Sequence, residues 1–138
     1  MSKRISAKIS KKSKWWISEC RHRELMYFCL QYKEWRAVVS SVSAGGASIV
    51  ERKPDGGDIS RSVEAEVIRR EKYQRKMHAV ELACEYADPE LAKYLFKAVT
   101  EGHKYDYMRG MLDIPCGRRQ FYEKIRKVFW ALDGILDE

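Results

Sequence analysis

The sequence predicts an all-α protein, and three observations carry that prediction. Apolar residues recur at spacings of three and four in one segment after another, no stretch alternates with period two, and the glycine-rich interval lies between two helical patterns. At 138 residues, with 45% hydrophobic and 34% charged side chains, the chain is long enough for one core and short for two ordinary domains. The expected organisation is a basic arm over 1–14 and a single helical domain over 15–138.

Residues 1–14 are rich in Ser and Lys and offer Ile5 and Ile9 as their apolar pair, too little burial to offset ordering, so this stretch is expected to be a mobile arm. From Leu25, the residues Phe28, Tyr32, Trp35 and Val39 follow at spacings of 3, 4, 3 and 4, with Cys29 and Val38 widening the stripe. This predicts a first amphipathic helix over about 20–40, its aromatic residues directed to the core. Residues 40–58 contain four of the eight glycines and one of the three prolines without periodicity, which predicts a flexible loop over about 41–58. The stretch 61–87 lacks Gly and Pro, is rich in Glu, Arg, Lys and Ala, and sets Val63, Val67, Tyr73, Met77, Val80 and Cys84 near one face. It predicts a long second helix whose charged first half projects from the core.

Asp88-Pro89-Glu90 is a helix-start signal. Asp88 can accept from free amides, Pro89 suits a first-turn position that needs no donor, and Glu90 suits the positive helix end. Leu91, Tyr94, Leu95, Ala98 and Val99 then keep helical spacing up to Gly102, predicting a third helix over 89–101 with a glycine stop. A short helix over 104–112 carries Tyr105, Met108 and Leu112, and Asp113-Ile114-Pro115-Cys116-Gly117 breaks it. The last helix, from about Arg118, carries Phe121, Ile125, Val128 and Leu132. At about 100° per residue these four fall within about 40° of one another, the spread of a core stripe. Trp130 falls on the polar side of that helix and needs a cover: the Trp15-Trp16 pair, the first helix or a second subunit.

Charge is unevenly placed. The net charge is +7, and residues 1–23 hold eight basic side chains (Lys3, Arg4, Lys8, Lys11, Lys12, Lys14, Arg21, Arg23) against Glu19, so 24–138 balance. An arm of this kind favours a polyanionic partner. Several classes are excluded by the same reading. No run approaches the ~20 apolar residues of a membrane span, and the basic start leads only into Trp15-Trp16-Ile17 rather than a signal-peptide core. The expectation is a cytoplasmic protein with no membrane partner. Cys20, Cys29, Cys84 and Cys116 include no C-x-x-C pair, which predicts reduced thiols and no structural zinc. Cys116, beside the start of a helix, is either a thiol with a lowered pKa or a turn residue facing the core. Asp55-Gly56-Gly57-Asp58 lacks the Lys-Ser/Thr that follows a phosphate-cradling loop, and there is no G-x-S-x-G and no carboxylate pair for a metal. Neither catalysis nor a cofactor is expected.

A short helix, a turn and a longer basic helix over about 103–132 describe a helix-turn-helix, whose second helix enters the major groove. Arg118, Arg119 and Gln120 stand at the start of that helix, where side chains reach base edges; Lys124, Arg126 and Lys127 lie further along and suit phosphates, as does Lys104. In the arm Lys3, Arg4, Lys8, Lys11, Lys12 and Lys14 are candidates for sequence-independent phosphate contacts.

The residues are more specific than the outline. Glu101-Gly102-His103-Lys104-Tyr105, the apolar positions Met108, Met111 and Leu112, and the turn Ile114-Pro115-Cys116-Gly117 resemble the region-4 helix-turn-helix of sigma factors. Arg109 stands where that motif has a small residue, Asp113 replaces its usual turn glycine, and the apolar register after Gly117 runs two residues late. The stretch 15–133, with Tyr27-Phe28-Cys29-Leu30-Gln31-Tyr32, Ala87-Asp88-Pro89-Glu90 and Phe121-Tyr122 to Phe129-Trp130, is similar to a family of small phage and prophage proteins of Gram-positive bacteria. Its relatives in organisation are late-gene regulators of the RinA and ArpU kind. The resemblance implies a DNA-binding transcriptional regulator whose partner is double-stranded DNA, with RNA polymerase and a second copy of the chain as further partners it allows. Two other readings stay open. One is a phage assembly or packaging adaptor that uses the same helices to oligomerise, the other a scaffold without a nucleic-acid role.

Overall fold

The computed structural model describes residues 14–44 and 56–137, and the side chains of 14–41 and 62–137. Among the described residues every regular element is helical: α1 (Glu19–Leu30), α2 (Tyr32–Ala44), α3 (Gly56–Ala87), α4 (Ala92–Glu101), α5 (Tyr105–Leu112) and α6 (Arg118–Leu136). The all-α expectation is met. None of these helices is long and apolar enough to cross a membrane. The described residues divide into two compact units, one lying within 1–31 and 79–138 and the other within 32–78.

The helix predicted over 20–40 is two helices with a break at Gln31. The Ser18 hydroxyl caps α1 by accepting from the Arg21 amide at 3.2 Å. At the other end the Gln31 N–H donates to the Phe28 carbonyl at 3.2 Å, a tightened last turn that ends α1. The apolar spacing runs through Gln31 unbroken, so periodicity could not reveal the break. Ser41 to Ala44 complete α2 and Gly56 to Asp58 begin α3, so both edges of the predicted loop are helical; residues 45–55 lie outside the described residues, as do 1–13.

In the larger unit, α1, the end of α3, α4, α5 and α6 enclose one core. It holds Leu25 and Cys29 of α1, Val80, Ala83 and Cys84 of α3, Leu95 and Val99 of α4, and the α6 stripe of Phe121, Ile125, Val128 and Leu132, all buried. The stripe predicted for the last helix is therefore the buried one. His22 is also buried, its ring edge-on to Phe129 at 4.9 Å. Arg21 ties α1 to the end of α6 through Asp133 at 2.6 Å and also reaches Glu24 at 3.1 Å. The hydrogen bond to Asp133 holds its guanidinium pKa above the ordinary value, against the effect of partial burial.

In the smaller unit Tyr32 and Trp35 are buried. Trp35 stacks on Tyr73 with ring centroids 6.3 Å apart, and the Lys76 ammonium lies 5.6 Å from the Trp35 ring. Of the aromatics in the predicted first helix, Tyr32 and Trp35 thus act in packing as their spacing implies, while Phe28 is half-buried and Tyr27 exposed.

Asp88 accepts free amides as its chemistry predicts, but the helix it precedes starts about one turn later than the expected 89. Asp88 Oδ1 accepts from the amides of Glu90 at 2.9 Å and Leu91 at 3.3 Å, fixing a turn over 89–91, and α4 proper starts at Ala92. Oδ2 lies 3.4 Å from Lys124 Nζ of α6. Partial burial pushes this carboxyl up, but the two amides and the Lys124 ammonium outweigh it and leave its pKa below the usual value. Asp88→Ala should cost about 1 kcal/mol at neutral pH. Because the folded-state pKa is lowered, this contribution is complete above the unfolded value of about 4 and is lost as pH falls through the folded one. Thermal unfolding should therefore show the gap between the two proteins narrowing from pH 7 towards pH 3; a gap near zero at pH 7 would mean Asp88 does not cap.

Candidate nucleic-acid interface

Gly102 closes α4 in the left-handed conformation (φ 78°), with its own N–H and that of His103 both donating to the Ala98 carbonyl at 2.8 and 3.0 Å. An added Cβ there would come within 3.3 Å of Leu30, so both the backbone and the close approach of α1 favour glycine. His103 then stacks on Tyr107 at 3.7 Å and hydrogen-bonds to Glu101 at 2.8 Å. Burial raises the Glu101 pKa, and the bonds from His103 and Lys97 reverse this to a net lowering.

The α5–turn–α6 hairpin is held from three sides. Met108, Ile114 and Phe121 are fully buried. The Tyr105 hydroxyl donates to the Cys116 carbonyl at 2.8 Å, and the Tyr105 N–H donates to the Tyr122 hydroxyl at 3.1 Å. Arg109 Nη1 donates to the Ile114 carbonyl at 3.2 Å and pairs with Asp113 at 3.2 Å. Arg109, at a position where the sigma motif has a small residue, thus points out of the hairpin core and braces its turn. This unit begins at Tyr105 and runs to Leu136, against the 103–132 expected from the sequence.

Asp113 takes the left-handed conformation (φ 53°) at the end of α5. Its N–H donates to the Arg109 carbonyl and the Ile114 N–H to the Met108 carbonyl, at 3.1 and 3.2 Å. The backbone thus makes the turn that usually has glycine, with a residue that tolerates the left-handed region at some cost. Asp113→Gly should raise stability by up to about 1 kcal/mol, the left-handed cost of roughly 1–2 kcal/mol less the extra chain entropy of Gly, read as a higher denaturant midpoint; a lower one would mean the Arg109 pair outweighs the strain.

The proposed contact residues divide into two groups. Arg119 and Gln120, in the first turn of α6, are exposed and have no partner among the described residues; exposed Lys104 and half-buried Arg126 are likewise without one. The others are engaged. Arg118 pairs with Asp106 at 2.7 Å and lies 5.2 Å from the Tyr105 ring. Lys124 is held by Asp88. The Lys127 ammonium sits between two rings, 4.9 Å from Trp15 and 5.2 Å from Tyr86. Lys124 and Lys127 are therefore occupied within the fold, something helical rotation alone could not show because the partners come from distant parts of the chain. Of the arm candidates, Lys14 is exposed with its ammonium 4.9 Å from the Trp15 ring; Lys3, Arg4, Lys8, Lys11 and Lys12 lie outside the described residues.

Trp130 receives its cover from Trp15, edge-on at 4.9 Å, and from Tyr86, stacked at 6.2 Å. Of the three covers open to it, the N-terminal Trp pair supplies one residue, while Trp16 stays 37% exposed. Nothing in the sequence links α3 to that face, so the Tyr86 contribution emerges only in the fold. Burial and the nearby Asp88 carboxylate push the Cys116 thiol up, despite Arg109 and Lys124, opposite to the lowering an activated thiol needs. Among the described residues no three His, Cys, Asp or Glu side chains converge into a metal site. Compared with protein families, with curated proteins and with solved structures, the chain matches none.

Proposed function

We propose that this protein is a duplex-DNA-binding regulator, of the sigma-region-4-like kind that the sequence resembles in phage and prophage proteins. The observation that supports it is the exposure of Arg119 and Gln120, without partners among the described residues, in the first turn of a helix whose opposite face is fixed in the core. That is where side chains of a recognition helix meet base edges. Gly117 offers no side-chain cap to the α6 amides, which leaves them available to a phosphate between the exposed cations. Lys104 and Arg126 extend the contact, and the N-terminal cations add sequence-independent grip. Lys124 and Lys127 leave the contact set for structural roles.

Binding to duplexes selected from a random pool tests this. Arg119→Ala should weaken the preferred site by about 1–3 kcal/mol and relax its preference. Arg118→Ala should cost less, because Asp106 already engages that guanidinium. Unchanged affinity and preference in the folded double variant would overturn the assignment. The adaptor reading draws on one observation, an exposed apolar groove between α3 and α6. It predicts a ring or higher oligomer by light scattering, where the regulator predicts a monomer or dimer.

A further inference from the structure

Between the end of α3 and the end of α6 lies an open groove of about 650 Å³, lined by Leu82, Tyr86, Trp130, Ala131, Gly134 and Ile135, with Glu85 as its one charged wall residue. Leu82 and Tyr86 are 45% and 53% exposed, one helical turn apart on the side of α3 turned away from the core. An apolar trough of this size is suited to a few large side chains rather than to bulk water.

Its position selects the occupant. Trp15 packs edge-on against Trp130 at 4.9 Å, so the chain that precedes Lys14 starts at the groove wall. That preceding segment, 1–13, is Met-Ser-Lys-Arg-Ile-Ser-Ala-Lys-Ile-Ser-Lys-Lys-Ser. It has Ile5 and Ile9 four positions apart, five basic residues and no acid. Even fully extended chain carries Ile9 no more than about 18 Å, and Ile5 about 32 Å, from Lys14. A segment tethered this closely meets the groove at an effective concentration on the order of 1 mM, enough for a weak apolar contact to be filled. Glu85 in the wall suits the basic residues that flank the isoleucines; Lys127, the nearby cation, is held by the Trp15 and Tyr86 rings.

We propose that the α3–α6 groove is the docking site of the chain's own N-terminal segment, with Ile5 and Ile9 as its apolar anchors. The proposal does not depend on DNA binding, and its test contains no DNA. The Trp130 indole N–H and the Gly134 amide are followed by nuclear magnetic resonance in the full chain, in the chain lacking residues 2–12, and in Ile5→Ser/Ile9→Ser, which keeps every charge. Both variants should move the two resonances to the same new positions at monomer mass. A peptide of residues 1–13 added to the shortened chain should return them, and the peptide with both isoleucines changed to serine should not. Leu82→Lys, at an exposed position that leaves the core intact, should make the full chain insensitive to the double serine change. Resonances of Ile5→Ser/Ile9→Ser that coincide with those of the unaltered chain would overturn the proposal. So would shifts that grow with protein concentration as the mass doubles, since a second copy would then be the occupant.

Discussion

Phe121→Ala should lower the stability of the protein by about 3–5 kcal/mol. The side chain is fully buried, against Tyr105 at 5.6 Å and Tyr122 at 4.9 Å between ring centroids. It belongs to the core that α5 and α6 share with the other helices of the larger unit, as do the equally buried Met108 and Ile114. Removing the ring forfeits its transfer from water and leaves a cavity that an eight-residue helix cannot collapse to fill. Total stabilities of about 5–15 kcal/mol make this a large fraction of the whole. Denaturant unfolding would read it directly, and a decrease below about 1 kcal/mol would mean that α5 and α6 do not share a packed interior. On the proposed function, DNA binding should fail in parallel, because the hairpin that carries Arg119 depends on the same ring.

If the protein binds duplex DNA as proposed, deleting residues 2–12 should leave the core folded and weaken binding to all duplexes nearly equally. The deletion removes Lys3, Arg4, Lys8, Lys11 and Lys12 and no acid. Every phosphate that the arm no longer neutralises should flatten the dependence of log affinity on log salt by up to about 0.9, so five such phosphates would flatten it by about 4.5. Titration of two unrelated duplexes at several salt concentrations gives the slope and the preference together. Disappearance of the preference between them would instead show the arm reading a minor groove, with the assignment of recognition to α6 inverted.

The elements that were legible in the sequence are those whose determinants are local. The α6 stripe, the Asp88 amides and the Gly102 stop each depend on residues within a few turns of one another, and each is present in the fold. Asp113 was visible as a departure from a motif glycine, although its left-handed backbone was not. What stayed hidden depends on tertiary partners. The break at Gln31 leaves the apolar spacing intact. Lys124 and Lys127 read as outward cations until Asp88, Trp15 and Tyr86 are placed beside them. The α3–α6 groove joins residues of helices far apart in the chain, so no window of sequence contains it.

The burial of Cys29 and Cys84 has a practical consequence for labelling. Burial, aided by the Glu81 and Glu85 charges, lifts the Cys84 thiol to about 12, and Cys29 is raised well above its ordinary value for the same first reason. At pH 8 a thiol with a pKa of about 12 holds roughly one part in 10⁴ as the reactive thiolate. Both core thiols are therefore silent towards maleimides and iodoacetamides while the protein stays folded, and half-buried Cys116 is slowed. Cys20, exposed in the first turn of α1, becomes a native attachment point for a dye or spin label, and the order in which the four cysteines react on heating would report the opening of the core without any engineered substitution.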